Sequence, residues 1–579
     1  MTSLPRYPKQ AAPVNPMRRT FLPNPSPAFQ QAALHAATAF VLGLALFLAL
    51  YNRYPLYTSH VEWAYAAGGD AFHHQMGWEW FRQEPWRFPL GSIQAYGYPV
   101  GTSVAFMDSI PLFAFLYKLL SPWLEPKFQY FGLWELSAVM GQALLGLLIL
   151  NEFTRSYPLK ILGAALLVLS PPMMFRAFYH SSLSAHWILL AGIWFVLLER
   201  RGALRRGAWA GLFALSALIH LYFIPMLLPL WMVGAFFHWR RAGRIGAPLV
   251  ELAASAGLVA LIGYAIGLFG LPTSSLAAEG FGVFSWNLNG FFNPFKFASA
   301  YIKEIPTGKS GQYEGFSYLG LGILLLLPGA LYAALLDGVP RRNWQTLAPF
   351  AAASAVYGLY ALSTEAYVGT LPLWNIPLPE SVEQFFNLFR ASGRFIWPVF
   401  YFIVLFVLVM MVRRARWPAA VLGLALVVQF FDLQPLAAMK RLDGPVPYEQ
   451  ALSGPFWDAA ARTSDHLVVT PYVKFTFSHE RLVLFAAHHG LTINFGKFMR
   501  SDERALKAHA EEAWEDLRAG RADARTLYLI LDPERLAEAK DELKSRVVFC
   551  EADDFTAAVP VGSELLKDAS LLARYCSAP

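Results

Sequence analysis

Long apolar stretches with few charged residues constrain this chain more than any other feature of its sequence. The first covers about Ala33–Tyr51, and ten more follow between Phe131 and Phe431. Stretches of roughly 17–25 such residues cross a bilayer as helices, because lipid offers the backbone no hydrogen-bond partners outside the segment. Only 15% of the 579 residues are charged, whereas a soluble domain carries roughly a quarter. The sequence therefore predicts a polytopic α-helical membrane protein with about 11 transmembrane helices.

The cation clusters between these stretches set the predicted orientation. Arg200–Arg206, Arg240–Arg244, Arg341–Arg342 and Arg413–Arg416 lie in short loops, which the positive-inside rule places in the cytoplasm. The polar, proline-rich segment Met1–Gln30 then becomes a disordered cytoplasmic tail, and the chain ends outside. The net charge of +7 reflects these loops and does not indicate nucleic-acid binding. The predicted spans are Ala33–Tyr51, Phe131–Phe153, Leu159–Met174, Leu183–Leu198, Gly207–Tyr222, Phe223–Trp239, Ala247–Gly270, Phe316–Leu336, Leu347–Leu362, Phe395–Val412 and Trp417–Phe431.

One further apolar segment, Val104–Leu120, resembles a span but breaks this alternation. It also contains Asp108, Pro111 and Lys118, which are unfavourable at the centre of a bilayer. We therefore expect Asp108–Leu120 to form a helix that lies in the outer interface. Removing this crossing from the count sends the C-terminal part of the chain outside.

The predicted topology leaves three large features on the outer face. The first is the loop Asn52–Tyr130, which would hold two interfacial helices. The second is a pair of loops, about Leu271–Gly315 and Ser363–Arg394, and the third is a C-terminal domain over residues 433–579. Residues 31–432 would form the membrane domain. The abrupt return of charged residues after Asp432 marks the boundary.

The C-terminal domain has the pattern of a small α/β fold. Short apolar runs at His466–Thr470, Leu527–Leu531 and Val547–Cys550 predict buried strands, and Ala505–Arg518 and Pro533–Lys544 predict helices. The chain has two cysteines, Cys550 and Cys576, both in this domain. In an oxidising compartment they would form a disulfide, and two free thiols are the alternative.

The first outer loop carries the motif GGDAFHHQMGWEWFRQEPW. Within it Asp70, His73, His74, Trp78 and Arg82 follow one another at helical spacing. A carboxylate at the mouth of a membrane cavity can act as a general base or help to bind a divalent cation. Histidines one turn away can orient it, bind a phosphate or ligate a metal. The alternative is that Asp70 only caps an amphipathic interfacial helix.

Other polar residues lie at the outer ends of the predicted spans. A turn-rich aromatic segment from Tyr96 to Thr102 suits stacking on a sugar ring, and Asp108 opens the second interfacial helix either as a cap or as a site residue. The remaining candidates are Arg176, His180, His186, His220, Tyr222, Glu314, Tyr318, Arg390 and Arg394. Each alone is typical of an interfacial anchor. Together they gather at one face of the membrane, where arginines could hold a lipid phosphate by bidentate contacts.

These segments resemble the GT-C class of polytopic membrane glycosyltransferases, which use polyprenyl- or dolichyl-phosphate sugars. The resemblance covers about Gln30–Asp432: one span, a long outer loop with an acidic residue in its first helix, and a second helix within DSIPLFAFLYKLLSP. A basic turn at Arg155–Lys160 and the string SPPMMFRAFYHSSLSAHW follow. The strings GDAFHHQMGW, YGYPVGTS, FQYFGLW and FRASGRF are similar to those of a bacterial GT-C-like family, for which no substrate is implied.

The resemblance implies a mechanism and a location. Asp70 would deprotonate an acceptor hydroxyl, which would attack the anomeric carbon of the lipid-linked sugar with inversion. Arg390, Arg394, Arg176 and His220 would bind the departing phosphate. The acceptor would be a glycan, a lipid or a protein, and the site would lie at the periplasmic face of a bacterial inner membrane. The resemblance implies no definite cofactor, and the candidate is a divalent metal ion bound by Asp70, His73 and His74.

Three other functions remain open on the sequence alone. They are a flippase or transporter of lipid-linked sugars, an O-antigen-type polymerase or ligase, and a membrane scaffold without catalysis. Transporters place polar sites near the midplane of discontinuous helices, whereas the candidates here lie at the outer boundary. The transferase hypothesis requires Asp70, His220, Arg390 and Arg394 to surround one cavity.

Overall fold

The computed structural model of the chain describes residues 26–270, 280–337, 341–448, 452–498 and 500–577. Helices form most of it up to residue 440. They are α1 (Pro27–Tyr51), α2 (Glu62–Ala67), α3 (Gly69–Gln83), α4 (Pro111–Leu120), α5 (Phe131–Leu150), α6 (Tyr157–Val168), α7 (Pro171–Arg176), α8 (Trp187–Arg201), α9 (Ala208–Ile219), α10 (Phe223–Ala242), α11 (Gly246–Ile266), α12 (Leu321–Asp337), α13 (Arg341–Leu362), α14 (Glu380–Phe386), α15 (Trp397–Arg414), α16 (Pro418–Asp432) and α17 (Gln434–Lys440).

Five helical segments are long and apolar enough to cross a membrane. They are Pro27–Tyr51, Phe131–Leu150, Ser181–Arg201, Gly246–Ile266 and Ser392–Arg414. The pair α16 and α17, bent by 52°, is a sixth candidate, and α6, α9 and α12 are shorter apolar helices. The chain is therefore a helical protein with several candidate membrane spans. Each of the eleven predicted spans contains a helix. Eleven crossings are not confirmed, because only five of the helical segments, or six with the bent pair, have the length and apolar composition that a crossing requires.

Several predicted boundaries are wrong. The segment Leu159–Met174 breaks after Val168, because Pro171 and Pro172 begin a new short helix. Residues 1–25 of the predicted tail and 271–279 of the second outer loop lie outside the described residues. The end of the tail, from Pro27 onward, already belongs to α1, where Ser26 accepts a hydrogen bond from the Phe29 amide.

The two segments predicted as interfacial helices are both helical, with different starts. Asp108 does not cap the second helix, because it adopts a left-handed conformation with φ 50° at the end of a 3₁₀ turn, Val104–Met107. The helix itself, α4, starts at Pro111, and its Leu116 and Leu119 are exposed. Asp70 does not cap α3 either, because Gly68 occupies the capping position and Asp70 lies in the first turn. Between α3 and α4, two short antiparallel strands, β1 (Ser92–Ile93) and β2 (Thr102–Ser103), pair with each other.

The C-terminal domain is a small α/β fold, as the sequence predicts. Its strands are β5 (His466–Val469), β6 (Thr492–Ile493), β7 (Thr526–Leu529), β8 (Val547–Ala552) and β9 (Phe555–Pro560), and its helices are α18 (Pro455–Thr463), α19 (Glu480–His489), α20 (Glu503–Ala519), α21 (Pro533–Glu542) and α22 (Ala569–Tyr575). The strands form one sheet in the order β6–β5–β7–β9–β8, in which β9 and β8 are antiparallel and β5 is parallel to both its neighbours. A hairpin of β3 (Glu365–Val368) and β4 (Leu371–Asn375) lies in the loop before α14. Cys550 and Cys576 form a disulfide.

Candidate functional site

One cavity of about 560 Å³ lies where the segments between the helices meet the C-terminal domain. Its volume falls in the range of about 300–1,000 Å³ that is typical of small-molecule sites. One part of the wall is apolar, with Ile219, Leu268, Phe269 and Phe389. The ionisable side chains that line it are Asp70, Asp108, His180, His220, Glu314, Arg390, Arg394, Lys497 and Arg500. The cavity therefore offers an apolar wall and a charged wall to the same ligand.

The four residues on which the sequence-based hypothesis depends share this cavity. Asp70 comes from α3, His220 follows α9, and Arg390 and Arg394 precede α15. The candidates Asp108, His180, Tyr222 and Glu314 line it as well. Residues that are far apart in sequence thus converge on a single volume.

Asp70 lies at the N-terminal end of α3 with both carboxylate oxygens engaged. Gly68 and Gly69 have φ values of 59° and 55°, a backbone that favours glycine and allows the helix to begin abruptly. Asp70 Oδ2 lies 2.9 Å from His180 Nε2, and Oδ1 lies 3.2 Å from Lys497 Nζ. Burial opposes ionisation of Asp70, but the adjacent His180 and Lys497 hold the pKa of the carboxyl well below its usual range. Asp70 is therefore an ionised group that can still accept hydrogen bonds from further donors.

Asp108 lies on the same wall in a different environment. Its Oδ1 is 3.7 Å from Nε2 of His220. Burial raises the pKa of Asp108, and the nearby His180 and Arg394 oppose this rise only in part. The two environments therefore shift the pKa values of the two cavity carboxyls in opposite directions.

Glu314 bridges two buried arginines. Its Oε2 lies 2.7 Å from Arg176 Nη2 and 2.8 Å from Arg394 Nε, and burial of the carboxyl is outweighed by these cations, which lower the pKa of Glu314. Arg176 also donates to the backbone oxygen of Glu314. Arg176 is not among the residues that line the cavity, so the structure does not place it where it was expected to bind a phosphate. Its guanidinium group instead holds Glu314 in position. Arg394 does line the cavity and lies 4.8 Å above the ring of Tyr222.

Three side chains could hold a metal ion, and they are not the set predicted from the sequence. His74, Asp108 and His180 bring one candidate ligand atom each to within 4.8 Å of one another. Asp70 and His73 are not part of this group. His74 is buried, and burial together with the neighbouring His180 keeps the pKa of its imidazole well below the usual value. The neutral imidazole is the form that ligates metals.

The C-terminal domain contributes Lys497, Phe498 and Arg500 to the cavity wall. The domain is held there by backbone pairing, because the amides of Gly97 and Tyr98 donate to Ile493 O at 2.8 and 2.9 Å. These residues are absent from the sequence-based prediction. The feature of the sequence that could have indicated them is the pair of cations, Lys497 and Arg500, in the otherwise apolar and turn-rich segment NFGKFMR.

Several predicted site residues have structural roles instead. Tyr96 does not line the cavity; its hydroxyl accepts from the Lys497 amide at 3.0 Å, and its ring packs on Phe498. Trp78 donates to Phe128 O, Tyr318 donates to Asp432 and His186 contacts the Tyr401 hydroxyl. Arg82 bonds to the segment after α4. His73 is buried beside the cavity without lining it.

Comparison with known protein families covers both parts of the chain. A family described as a domain of unknown function, DUF6311, matches residues 40–434, about two thirds of the chain. The chain belongs to the DUF6311 family. A second model, the DUF6311 C-terminal domain, matches residues 456–560. Asp70, Arg390 and Arg394 fall in the first matched region, and Lys497 and Arg500 fall in the second, so the cavity is built from both. No curated protein matches the chain.

Proposed function

We propose that this DUF6311 protein is a GT-C-type glycosyltransferase. It moves a sugar from a polyprenyl-phosphate donor to an acceptor at the outer face of the membrane. The observation that carries the proposal is the meeting of Asp70 with Arg390, Arg394 and Arg500 in one cavity. Burial lowers the pKa of Arg500, and the like charges of Arg390 and Arg394 lower it further, although Tyr222 and Asp108 act in the opposite direction. A cluster of like charges of this kind is stabilised when an anion binds, and a phosphate matches the geometry of guanidinium groups.

The chemistry follows from the two walls of the cavity. The polyprenyl chain lies along the apolar wall, and the arginines bind the phosphate. The acceptor oxygen bonds to the anomeric carbon as the bond from that carbon to the phosphate oxygen breaks, and the phosphate leaves with the electron pair. Asp70 takes the proton of the acceptor hydroxyl. Positive charge around the leaving phosphate stabilises the transition state.

The proposed location is a bacterial inner membrane, crossed eleven times, with the N-terminus in the cytoplasm and the C-terminal domain in the periplasm. The residues of the cavity lie in segments that the charge pattern assigns to the outer face, or at the outer ends of the predicted spans Gly207–Tyr222 and Ala247–Gly270. The disulfide between Cys550 and Cys576 supports this orientation, because disulfides persist in oxidising compartments. The acceptor is a glycan, a lipid or a protein.

The test compares Asp70→Asn with Asp554→Asn in the purified full-length protein given radiolabelled polyprenyl-phosphate sugars. Asp554 is 91% exposed and lies outside the cavity lining, so it is a matched control. We expect Asp70→Asn to lower the transfer rate by about 10²–10⁴-fold, the usual contribution of a general base, and Asp554→Asn to leave it unchanged. Unchanged transfer by Asp70→Asn removes Asp70 as the base. Movement of the intact lipid-linked sugar between leaflets, with no transfer by the wild type, identifies a flippase instead.

A further inference from the structure

The strongest unexplained feature beside the cavity is the cluster of His74, Asp108 and His180, of which Asp108 and His180 line the cavity wall. These residues come from α3, from the turn before α4 and from the turn after α7. Their candidate ligand atoms lie within 4.8 Å of one another. Each residue reaches the cluster from a separate segment, so the grouping is a product of the tertiary fold.

His74 lacks the hydrogen bonds that a buried imidazole normally makes. His74 is only 1% exposed, and neither Nδ1 nor Nε2 of its imidazole has a hydrogen-bond partner among the described residues. Buried polar atoms are almost always paired in folded proteins. An unpaired imidazole that faces two other ligand-type side chains is an available electron-pair donor.

His180 has one nitrogen fixed and the other unpaired. Nε2 lies 2.9 Å from the carboxylate of Asp70, whereas Nδ1 is buried and has no partner among the described residues. In metalloproteins, a carboxylate commonly holds one ring nitrogen of a ligating histidine and so directs the other toward the metal. Asp70 holds Nε2 of His180 in this way, which leaves Nδ1 as the nitrogen available to a metal ion.

Asp108 adopts a backbone conformation that is unfavourable for a residue with a side chain. Its φ of 50° lies in the left-handed region, and Ile110, two residues later, has a φ of 51°. Such strain is concentrated at functional sites, where the surrounding structure imposes it. The result is a carboxylate that faces both histidines and the open cavity.

We propose that His74, Asp108 and His180 bind a divalent transition-metal cation of the Zn²⁺ class. Two imidazoles and one carboxylate favour such a cation over Mg²⁺ or Ca²⁺, which prefer sets of oxygen ligands. Three protein ligands leave a position open, as in catalytic zinc sites. This role rests on the proposed function: the open position accepts an oxygen of the donor phosphate, and Asp70 orients His180.

The test measures metal directly, so it does not depend on transfer activity. The full-length protein is purified, incubated with Zn²⁺, separated from free metal by gel filtration and analysed by mass spectrometry. We expect about one Zn²⁺ per chain. His74→Ala and Asp108→Asn should lose it. Asp70→Asn should weaken binding by about 10–100-fold, as for other residues that orient a ligand. His489→Ala, a change at an exposed histidine, is the matched control and should retain the metal.

Titration of the wild type with Co²⁺ provides a second measurement, because ligation by imidazole changes the visible spectrum of the ion. This titration decides the question even if His74→Ala does not fold. Absence of bound Zn²⁺ and of a spectral change in the wild type overturns the proposal. Equal metal content in folded Asp108→Asn also overturns it. Transfer that persists after the metal is removed would reject its catalytic role while leaving the transferase proposal intact.

Discussion

Replacing Glu314 by glutamine tests how much the buried charges beside the cavity contribute to stability. The Glu314 carboxylate joins Arg176 at 2.7 Å and Arg394 at 2.8 Å, and the three side chains are only 6%, 2% and 9% exposed. Glu314→Gln keeps the shape but removes the negative charge. Two buried guanidinium groups then face each other without a counter-ion.

The size of the effect follows from the burial. Removing one partner of a buried ion pair costs about 3–5 kcal/mol, because the remaining charge stays buried without compensation. Both arginines use the same oxygen, so the two losses are not additive. We expect Glu314→Gln to lower the free energy of unfolding by about 3 kcal/mol, the lower end of the range, because the amide oxygen still accepts hydrogen bonds.

Glu365→Gln is the matched control. Glu365 pairs with Lys309 at 2.7 Å, but the two side chains are 22% and 34% exposed. Exposed pairs contribute about 0.2–1 kcal/mol. The assay is denaturant-induced unfolding in mixed micelles, followed by tryptophan fluorescence. Equal losses in the two variants, or a loss below about 1 kcal/mol in Glu314→Gln, refute the reasoning. Adding Arg176→Met to Glu314→Gln should restore part of the loss, because it removes one of the unpaired charges.

The remaining predictions concern the C-terminal domain. Lys497→Met removes the cation that lies 3.2 Å from Asp70 and should lower the rate of sugar transfer about tenfold or more, measured beside an unfolding curve that shows normal stability. Gly496→Ala should speed amide hydrogen exchange at Gly97 and Tyr98, because the new Cβ would lie 2.3 Å from the ring of Tyr96 and displace the domain. Cys550→Ser should lower the free energy of unfolding by about 3 kcal/mol, which urea titration with and without reductant would measure.

The helices of the membrane domain were predictable because their signal is local. An apolar run must become a helix in lipid whatever its neighbours are, and each predicted span contains one. The break in Leu159–Met174 was also visible, since Pro171 and Pro172 stand inside it. In the C-terminal domain β5, β7 and β8 were apolar enough to predict. The strand β6 was missed because it has only two residues, and β9 was missed because its sequence, FTAAVP, contains alanine and proline, which are depleted in strands.

The roles of individual polar residues were less predictable, because a role depends on contacts between distant segments. Asp108 precedes a helix and looks like its cap, yet the left-handed turn directs it to His180 and His74 instead. Arg176 has the charge to bind a phosphate, but its guanidinium group forms an ion pair with Glu314 instead. Local sequence contains no information about either partner. The convergence of Asp70, Arg390 and Arg394 was inferable only because all lie at one face of the predicted membrane.

The charges of the cavity explain why the C-terminal domain belongs to the site. Within the membrane domain, Glu314 already compensates the charge of Arg394 in part, and Asp70 and Asp108 add negative charge to the same wall. That wall alone is a poor site for an anion. Lys497 pairs with Asp70, and Arg500 adds a cation beside Arg390. The backbone bonds between Ile493 and Gly97 therefore do more than pack two domains together: they give the cavity the positive charge that a phosphate requires.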